Sequence, residues 1–270
     1  MRIEGVFHIH SSFSHDGEQS LYELSCYLEK SGIDFCILAD HLEDFEEKSF
    51  KDYLAQIREI NSTRKFLFIP GVEIALGVVH IIVFPLDEYP INSLSQLLQN
   101  KPEIISVLAH PSKLSDDETK SVIDDVMGFE LWNQRADGNH FPSFRFIKKA
   151  KVADIYHSKT IFFGVDLHDA SSQIHNRIVM NLENNELATP EIVLQLQSGN
   201  FTNVHVKRNL KIQGNQSSKE VELNFSLLEY IRWHFISFLY ACLRVGYSYL
   251  GQYRKSKIVD YIKKNLKRLV

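Results

Sequence analysis

The chain has 270 residues, long enough for one large α/β domain or for a domain of about 200 residues with an appendage. With 30 basic against 34 acidic residues the formal net charge is -4, and 44% hydrophobic with 24% charged side chains is the balance of an ordinary globular protein. That composition excludes a global pull toward polyanions, so any basic surface is local. Cys26, Cys36 and Cys242 are widely spaced and lack a C-x-x-C pairing, which fits buried thiols in a reducing compartment. Met1 leads straight into a strand pattern with no long apolar stretch or cleavage site, so a cytoplasmic location is expected.

The first strand, from Ile3, ends in His8 and His10. Strand side chains alternate faces, so these two imidazoles point the same way about 6.6 Å apart, close enough to hold one metal ion. His15 follows the small-residue turn Ser11, Ser12, Phe13 and Ser14, which lets it fold back and offer a third nitrogen. Ser20 and Glu23 then form a capping box for a helix carrying Leu21, Leu24 and Leu28 and stopping at Gly32. The run from Asp34 to His41 is almost continuously apolar, the pattern of a parallel strand covered on both faces, and it ends in Asp40 and His41.

The same design repeats down the chain. A helix with apolar Phe50, Tyr53, Leu54, Ile57 and Ile60 leads to a strand from Lys65 that ends in Glu73. Val78 to Phe84 is a strand with His80 inside it, and the strand from Ile104 ends in His110. Ser115 and Glu118 cap a helix expected to reach Val126, Gly128 to Asn133 is a short strand, and Phe144 to Ala153 is helical. The apolar run from Thr160 ends in Asp166 and His168, and Ile178 to Leu182 with Pro190 to Gln197 supplies a closing strand and helix. Strands alternating with helices, each strand ending in a polar residue, predict a (β/α) barrel with its site at the C-terminal mouth.

The strand ends supply His8, His10, His15, His41, Glu73, His110, Asp166 and His168, with His80 as a ninth donor. One tetrahedral ion cannot use so many, so the set implies two or three ions with a bridging carboxylate, for which Glu73, at the end of the strand from Lys65, is the candidate. Imidazole and carboxylate donors without a thiolate suit Zn, Mn or Fe.

These residues resemble the ordered motifs of the PHP (polymerase and histidinol phosphatase) metallohydrolase family. The likeness rests on His8-Ile-His10-Ser-Ser-Phe-Ser-His15-Asp-Gly, Ala39-Asp40-His41, Gly-Val-Glu73, His110-Pro111 and Gly-Val-Asp166-Leu-His168. It covers residues 1–207. The segment Phe129-Glu130-Leu-Trp-Asn133 is similar to that of the stand-alone, CehA-like branch. The resemblance implies a distorted (β/α)7 barrel, TIM-barrel-like, with a di- or trinuclear centre that hydrolyses phosphoesters. It implies one ion on His8, His10, Glu73 and Asp166, a second on Glu73 and His110 with His80, and a third on His15, His41 and His168. Two departures stand out: the position of His15 is often Asp in the family, and Ala39 stands where Thr is common, which makes Asp40 an orienting partner for a ligand histidine.

The expected function is a metal-dependent phosphoesterase acting on a small phosphorylated substrate, with nucleic acid entering only as a short substrate. Glu73 and Asp166 are the expected catalytic carboxylates, and a cation from Lys113, Arg135 or Arg177 would hold an outer phosphate oxygen, Arg177 being preferred because a short loop joins it to the Asp166 motif. His140 and His175 are loop candidates for a general acid. The alternative is a non-catalytic accessory module acting through C-terminal helices.

Residues 208–270 read as a linker and an aromatic, basic helical extension. From Asn224 to Val270 nine Lys or Arg stand against two acids, while Glu229, Arg232, His234 and Arg244 interrupt the apolar stretch and argue against a spanning helix. Such a segment is expected to pack on the parent barrel or on a second copy in a homo-oligomer, ahead of lying peripherally on a membrane and, last, of contacting nucleic acid.

Overall fold

The computed structural model describes residues 1–90, 94–139, 141–184 and 186–221. The first half runs β1 (Arg2–Ile9), α1 (Leu21–Lys30), β2 (Phe35–Leu38), β3 (Asp40–His41), α2 (Glu47–Thr63), β4 (Leu67–Ile69), β5 (Val72–Leu76) and β6 (Val79–Phe84). It continues with α3 (Leu94–Asn100), β7 (Ile105–Leu108), α4 (Asp116–Lys120), β8 (Gly128–Asn133), α5 (Gln134–Asp137), α6 (Phe144–Val152) and β9 (Thr160–Gly164). The last elements are β10 (Asn176–Asn181), α7 (Thr189–Gln197), β11 (Thr202–His205) and β12 (Leu210–Gln213).

Local chemistry sets the helices where the sequence places them. The Ser20–Glu23 capping box is formed at α1, and α2 buries Phe50, Tyr53, Leu54, Ile57 and Ile60 along one face. The helix opened by Ser115 and Glu118 is shorter than its pattern, ending at Lys120, and a 3-10 turn at Ile123–Asp125 buries Ile123 in its place.

The strands form two six-stranded mixed sheets, ordered β12-β11-β10-β1-β2-β4 and β3-β5-β6-β7-β8-β9. The expected (β/α)7 barrel is therefore not formed as a closed sheet. Alternation of strand and helix fails at β5 and β6, an antiparallel hairpin turning at Gly77 (φ 69°), and β7 also runs antiparallel to β6. The strand that begins as β2 breaks at Ala39 and resumes as β3 in the other sheet. Register slips interrupt β1 between Phe7 and Ile9 and β8 between Glu130 and Trp132.

The sheets are nonetheless stitched together. Val165 N donates to Phe7 O (2.9 Å), Asp166 N to His8 O (2.8 Å) and His10 N to Leu167 O (2.9 Å). Asn203, fully buried on β11, accepts from Phe163 N (2.9 Å) and donates to Ile161 O (2.8 Å), tying β9 to the other sheet. Between them lies a core drawn from both sheets and from Ile192, Val193 and Leu196 of α7. At its heart the ring of Phe7 sits 5.7 Å from Phe84 and 5.1 Å from Phe162, centroid to centroid.

The domain also extends past residue 207. β12 pairs with β11, Ile161 N donates to Gly214 O (2.8 Å), and Ser218 Oγ donates to Ala150 O (2.8 Å), so residues read as linker complete a unit spanning Met1–Val221. The expectations for residues 224–270, and for His140, fall outside the described residues. Among the described residues no helix is long and apolar enough to cross a membrane.

Asn203→Ala would leave the Phe163 N–H and the Ile161 carbonyl buried without partners. A loss of about 2–3 kcal/mol is expected, seen as a fall in Tm on the order of 5–10 °C in a thermal melt. An unchanged Tm would show that the sheets hold together without this side chain.

Candidate metal centre

A bulge at the end of β1 builds the first part of the site. Because the register slips at His8, Phe7 can enter the core while the next residue also turns inward, and His8 Nε2 and His10 Nε2 converge to 3.1 Å. Both nitrogens lie 3.7 Å from Asp166 Oδ1, which the stitch between the sheets brings across from the end of β9. His8, His10 and Asp166 form one of three groups, among the described residues, whose donor atoms lie within 4.8 Å of one another.

Glu73 on β5 joins this group to a second. Its Oε1 lies 2.9 Å from His80 Nδ1 and 3.1 Å from His110 Nε2, which makes the group Glu73, His80 and His110. Its Oε2 faces the other way, 3.8 Å from His8 Nε2, 3.7 Å from His10 Nε2 and 3.3 Å from His41 Nδ1. The third group is His10, Asp16, His41 and His168, in which His168 Nε2 lies 2.7 Å and His41 Nε2 3.5 Å from Asp16.

Of the residues the sequence singles out, His8, His10, His41, Glu73, His80, His110, Asp166 and His168 are brought together here. His15 is not. Its side chain is 64% exposed and bonds Asp44 Oδ2 (2.8 Å), and Asp16 takes the place beside His41 and His168. The two are neighbours in one turn, and only the path of the turn decides which faces inward. Arg177 also stands elsewhere, bonded to Glu4 Oε2 (2.7 Å) and Ser31 O (3.2 Å), because β10 runs antiparallel to β1 and leads away from His8. Arg135 is the cation at the site instead, with Nη1 3.7 Å from Asp166 Oδ1 and 3.8 Å from Asp16 Oδ2. Lys113 is exposed in the turn after His110, and His175 rings against His205 at 5.5 Å, outside all three groups.

A layer of polar groups holds the donors in place. Glu130, 1% exposed, accepts from the His8 ring at Nδ1 (2.8 Å) with one oxygen and from His110 N (2.6 Å) and Asn133 Nδ2 (2.9 Å) with the other. A Cβ at Gly164 would come within 1.7 Å of this carboxylate, so only glycine leaves it room. Asp40 does not touch a histidine directly. It accepts from Ser11 N (2.6 Å) and from the hydroxyls of Ser11 (2.9 Å) and Ser14 (3.1 Å), and the Ser14 oxygen lies 3.4 Å from His10 Nδ1 and accepts from His41 N (2.8 Å). Sequence reasoning noted the Glu130 segment without assigning it this bond, which depends on the bulge in β8.

The electrostatics are those of a site arranged for cations. Burial opposes charge on Glu73, yet the surrounding His8, His110 and His80 hold its carboxyl far below the usual range. Burial likewise opposes charge on Asp166, but His8, His10, His168 and His110 draw it down to about 2. Burial lowers the proton affinity of His10, helped by the His8 and His168 rings, whereas at His8 burial is outweighed by Glu130, Asp166 and Glu73 and the proton is held more tightly. Burial pushes Asp40 up to about 6 against its hydrogen bonds from Ser11 and Ser14. Asp16 Oδ1, His41 Nδ1 and His110 Nδ1 are buried without a hydrogen-bond partner among the described residues. Ionised carboxylates, converging ring nitrogens and these unpartnered atoms make a donor set that could hold divalent metal ions.

No family model matches the chain, and no curated protein matches it in sequence. Solved structures share its fold. PsfC from Pseudomonas syringae PB-5123 is 15% identical with a TM-score of 0.51, over 71% of this chain and 88% of PsfC. Endonuclease Q, solved with a 27-mer duplex substrate carrying an abasic lesion, is 17% identical with a TM-score of 0.53, over 74% of this chain and 57% of its own. The lesion-specific endonuclease PfuEndoQ from Pyrococcus furiosus is 15% identical with a TM-score of 0.53, over 73% of this chain and 56% of its own. This chain thus spans little more than half the length of those endonucleases. At such identities the likeness is one of fold.

Three substitutions test the geometry. Asp16→Ala should lower the number of ions bound at saturation, whereas His15→Ala should leave it unchanged, both read by equilibrium dialysis against saturating Mn(II). Glu130→Gln keeps the volume but removes the charge that orients His8, and metal affinity should fall roughly 10–100-fold. A lower ion count in His15→Ala would return His15 to the ligand set, and an unchanged count in Asp16→Ala would remove Asp16 from it.

Proposed function

We propose that the chain is a metal-dependent phosphoesterase of the PHP type, acting on a small phosphomonoester or nucleotide-type phosphoester. The observation that carries this reading is Glu73, a buried carboxylate with one oxygen toward His80 and His110 and the other toward His8, His10 and His41. A carboxylate shared between two imidazole groups is how a multinuclear centre holds neighbouring ions. We assign His8, His10 and Asp166 to one ion, Glu73, His80 and His110 to a second, and Asp16, His41 and His168 with His10 to a third position.

Divalent ions bound there supply Lewis-acid activation of water and neutralise the charge of a phosphoester. The rest is done by the chain. Glu130 holds the His8 ring with Nε2 aimed inward, and Asp40 acts through Ser14 on His10. Arg135, at the rim, is placed to bind an outer phosphate oxygen through its guanidinium fork. The buried ring of Phe7, 6.1 Å from the His8 ring, gives the donors an apolar neighbour, which strengthens charge interactions there. The complete donor set favours an enzyme over an accessory module. The nucleic-acid substrate of Endonuclease Q belongs to that protein; for this chain the reading extends to nucleic acid only as a short substrate.

Elemental analysis of protein purified without chelator should find at least two transition-metal ions per chain. A phosphoester panel with added Mn or Zn should then show turnover that Glu73→Gln lowers by roughly 100-fold or more while the fold persists by circular dichroism. Absence of metal that also fails to rebind would overturn the proposal.

A further inference from the structure

Arg135 is the second residue of α5, and its placement is built rather than incidental. The Asn133 side chain caps this turn by accepting from Ala136 N (2.8 Å), and Gln134 Oε1 accepts from His175 N (2.9 Å) and Asn176 N (3.2 Å). The turn is thus anchored on both sides, and it follows directly from the strand that carries Glu130. From it the guanidinium reaches Asp16 Oδ2 at 3.8 Å and Asp166 Oδ1 at 3.7 Å, and contacts both ring nitrogens of His168.

Asp16 and His168 belong to the His10, Asp16, His41 and His168 group, in which Asp16 is the only carboxylate. A full positive charge therefore already lies against the one anionic donor of that corner. The group on the far side differs: among the described ion pairs, Glu73 meets only histidines. A divalent ion and a guanidinium sharing Asp16 repel each other, so each weakens the hold of the other.

We propose that Arg135 is a resident cation of this corner, neutralising Asp16 in place of a third metal ion; the His8, His10 and Asp166 group, which the guanidinium also approaches, keeps a second carboxylate in Glu73 Oε2, 3.8 Å from His8 Nε2 and 3.7 Å from His10 Nε2. Resting on the metallophosphoesterase reading, this makes the substrate-free protein a two-ion centre with a guanidinium as its third positive charge. A phosphate group that draws the guanidinium into a bidentate pair frees Asp16, so a third ion and the phosphate favour each other's binding. With the Arg135 side chain 53% exposed, water screens part of the repulsion, and the expected effect on the third ion is roughly tenfold.

The test is a Mn(II) titration of the full chain stripped of metal, with free Mn(II) read by electron paramagnetic resonance. Wild type should bind two ions tightly and a third at least roughly tenfold more weakly. Arg135→Gln should bind all three with similar affinity, while Arg135→Lys, which keeps the charge, should behave as wild type. Circular dichroism confirms that each variant is folded. Three equivalent ions in wild type, or a third ion no tighter in Arg135→Gln, overturns the inference and leaves the phosphoesterase reading standing. No tight ion in wild type overturns both.

Discussion

The centre depends on keeping one carboxylate, Glu73, ionised at 2% exposure. A carboxylate taken out of water is protonated unless positive charge or strong donors surround it. Here the surroundings come from four separate places in the chain: the end of β1, the short β3, the start of β6 and the turn after β7. None of those imidazoles is tolerable in the interior alone, and the carboxylate is not tolerable without them. The two sheets are arranged so that these mutually dependent groups meet above an aromatic core.

Bringing them together strains the backbone. Four described non-glycine residues have positive φ, and three of them, His8 (68°), His110 (29°) and Asp166 (59°), are donors of the centre. Such conformations cost on the order of 1–3 kcal/mol each and persist where surrounding bonds over-determine them. The bonds are evident: His8 O accepts from Asp166 N (2.8 Å), and the turn at His110 aims its N–H at Glu130 (2.6 Å). One of these residues, His8, stands where the β1 ladder slips, so there the irregularity of the sheet and the construction of the site coincide.

Glu130 links several of these features. It orients His8, anchors the His110 backbone and bonds the residue that caps α5, from which Arg135 extends. Donor geometry on one side of the site and the rim cation on the other are thereby tied to a single buried carboxylate. A site so connected responds as a unit, and the contributions of its members are not additive.

How much of this was legible beforehand follows from where the information lies. The period of two that places His8 and His10 together, the capping boxes at Ser20 and Ser115, and the polar ends of the apolar strands are consequences of single-residue geometry, so they can be read along the chain. Eight of the nine expected donors lie close to one another because they stand at or near strand ends, although the bulge that turns His8 inward is not visible in the period. Asp16 rather than His15, and Arg135 rather than Arg177, were decided by tertiary structure: the first by the path of a turn pinned to Asp40 through Ser11 and Ser14, the second by the antiparallel direction of β10, which carries Arg177 toward Glu4. The extension of the domain to Val221 depends likewise on pairing between β11 and β12. Strand direction, bulge position and register arise from contacts between residues far apart in the chain, and no local pattern encodes them.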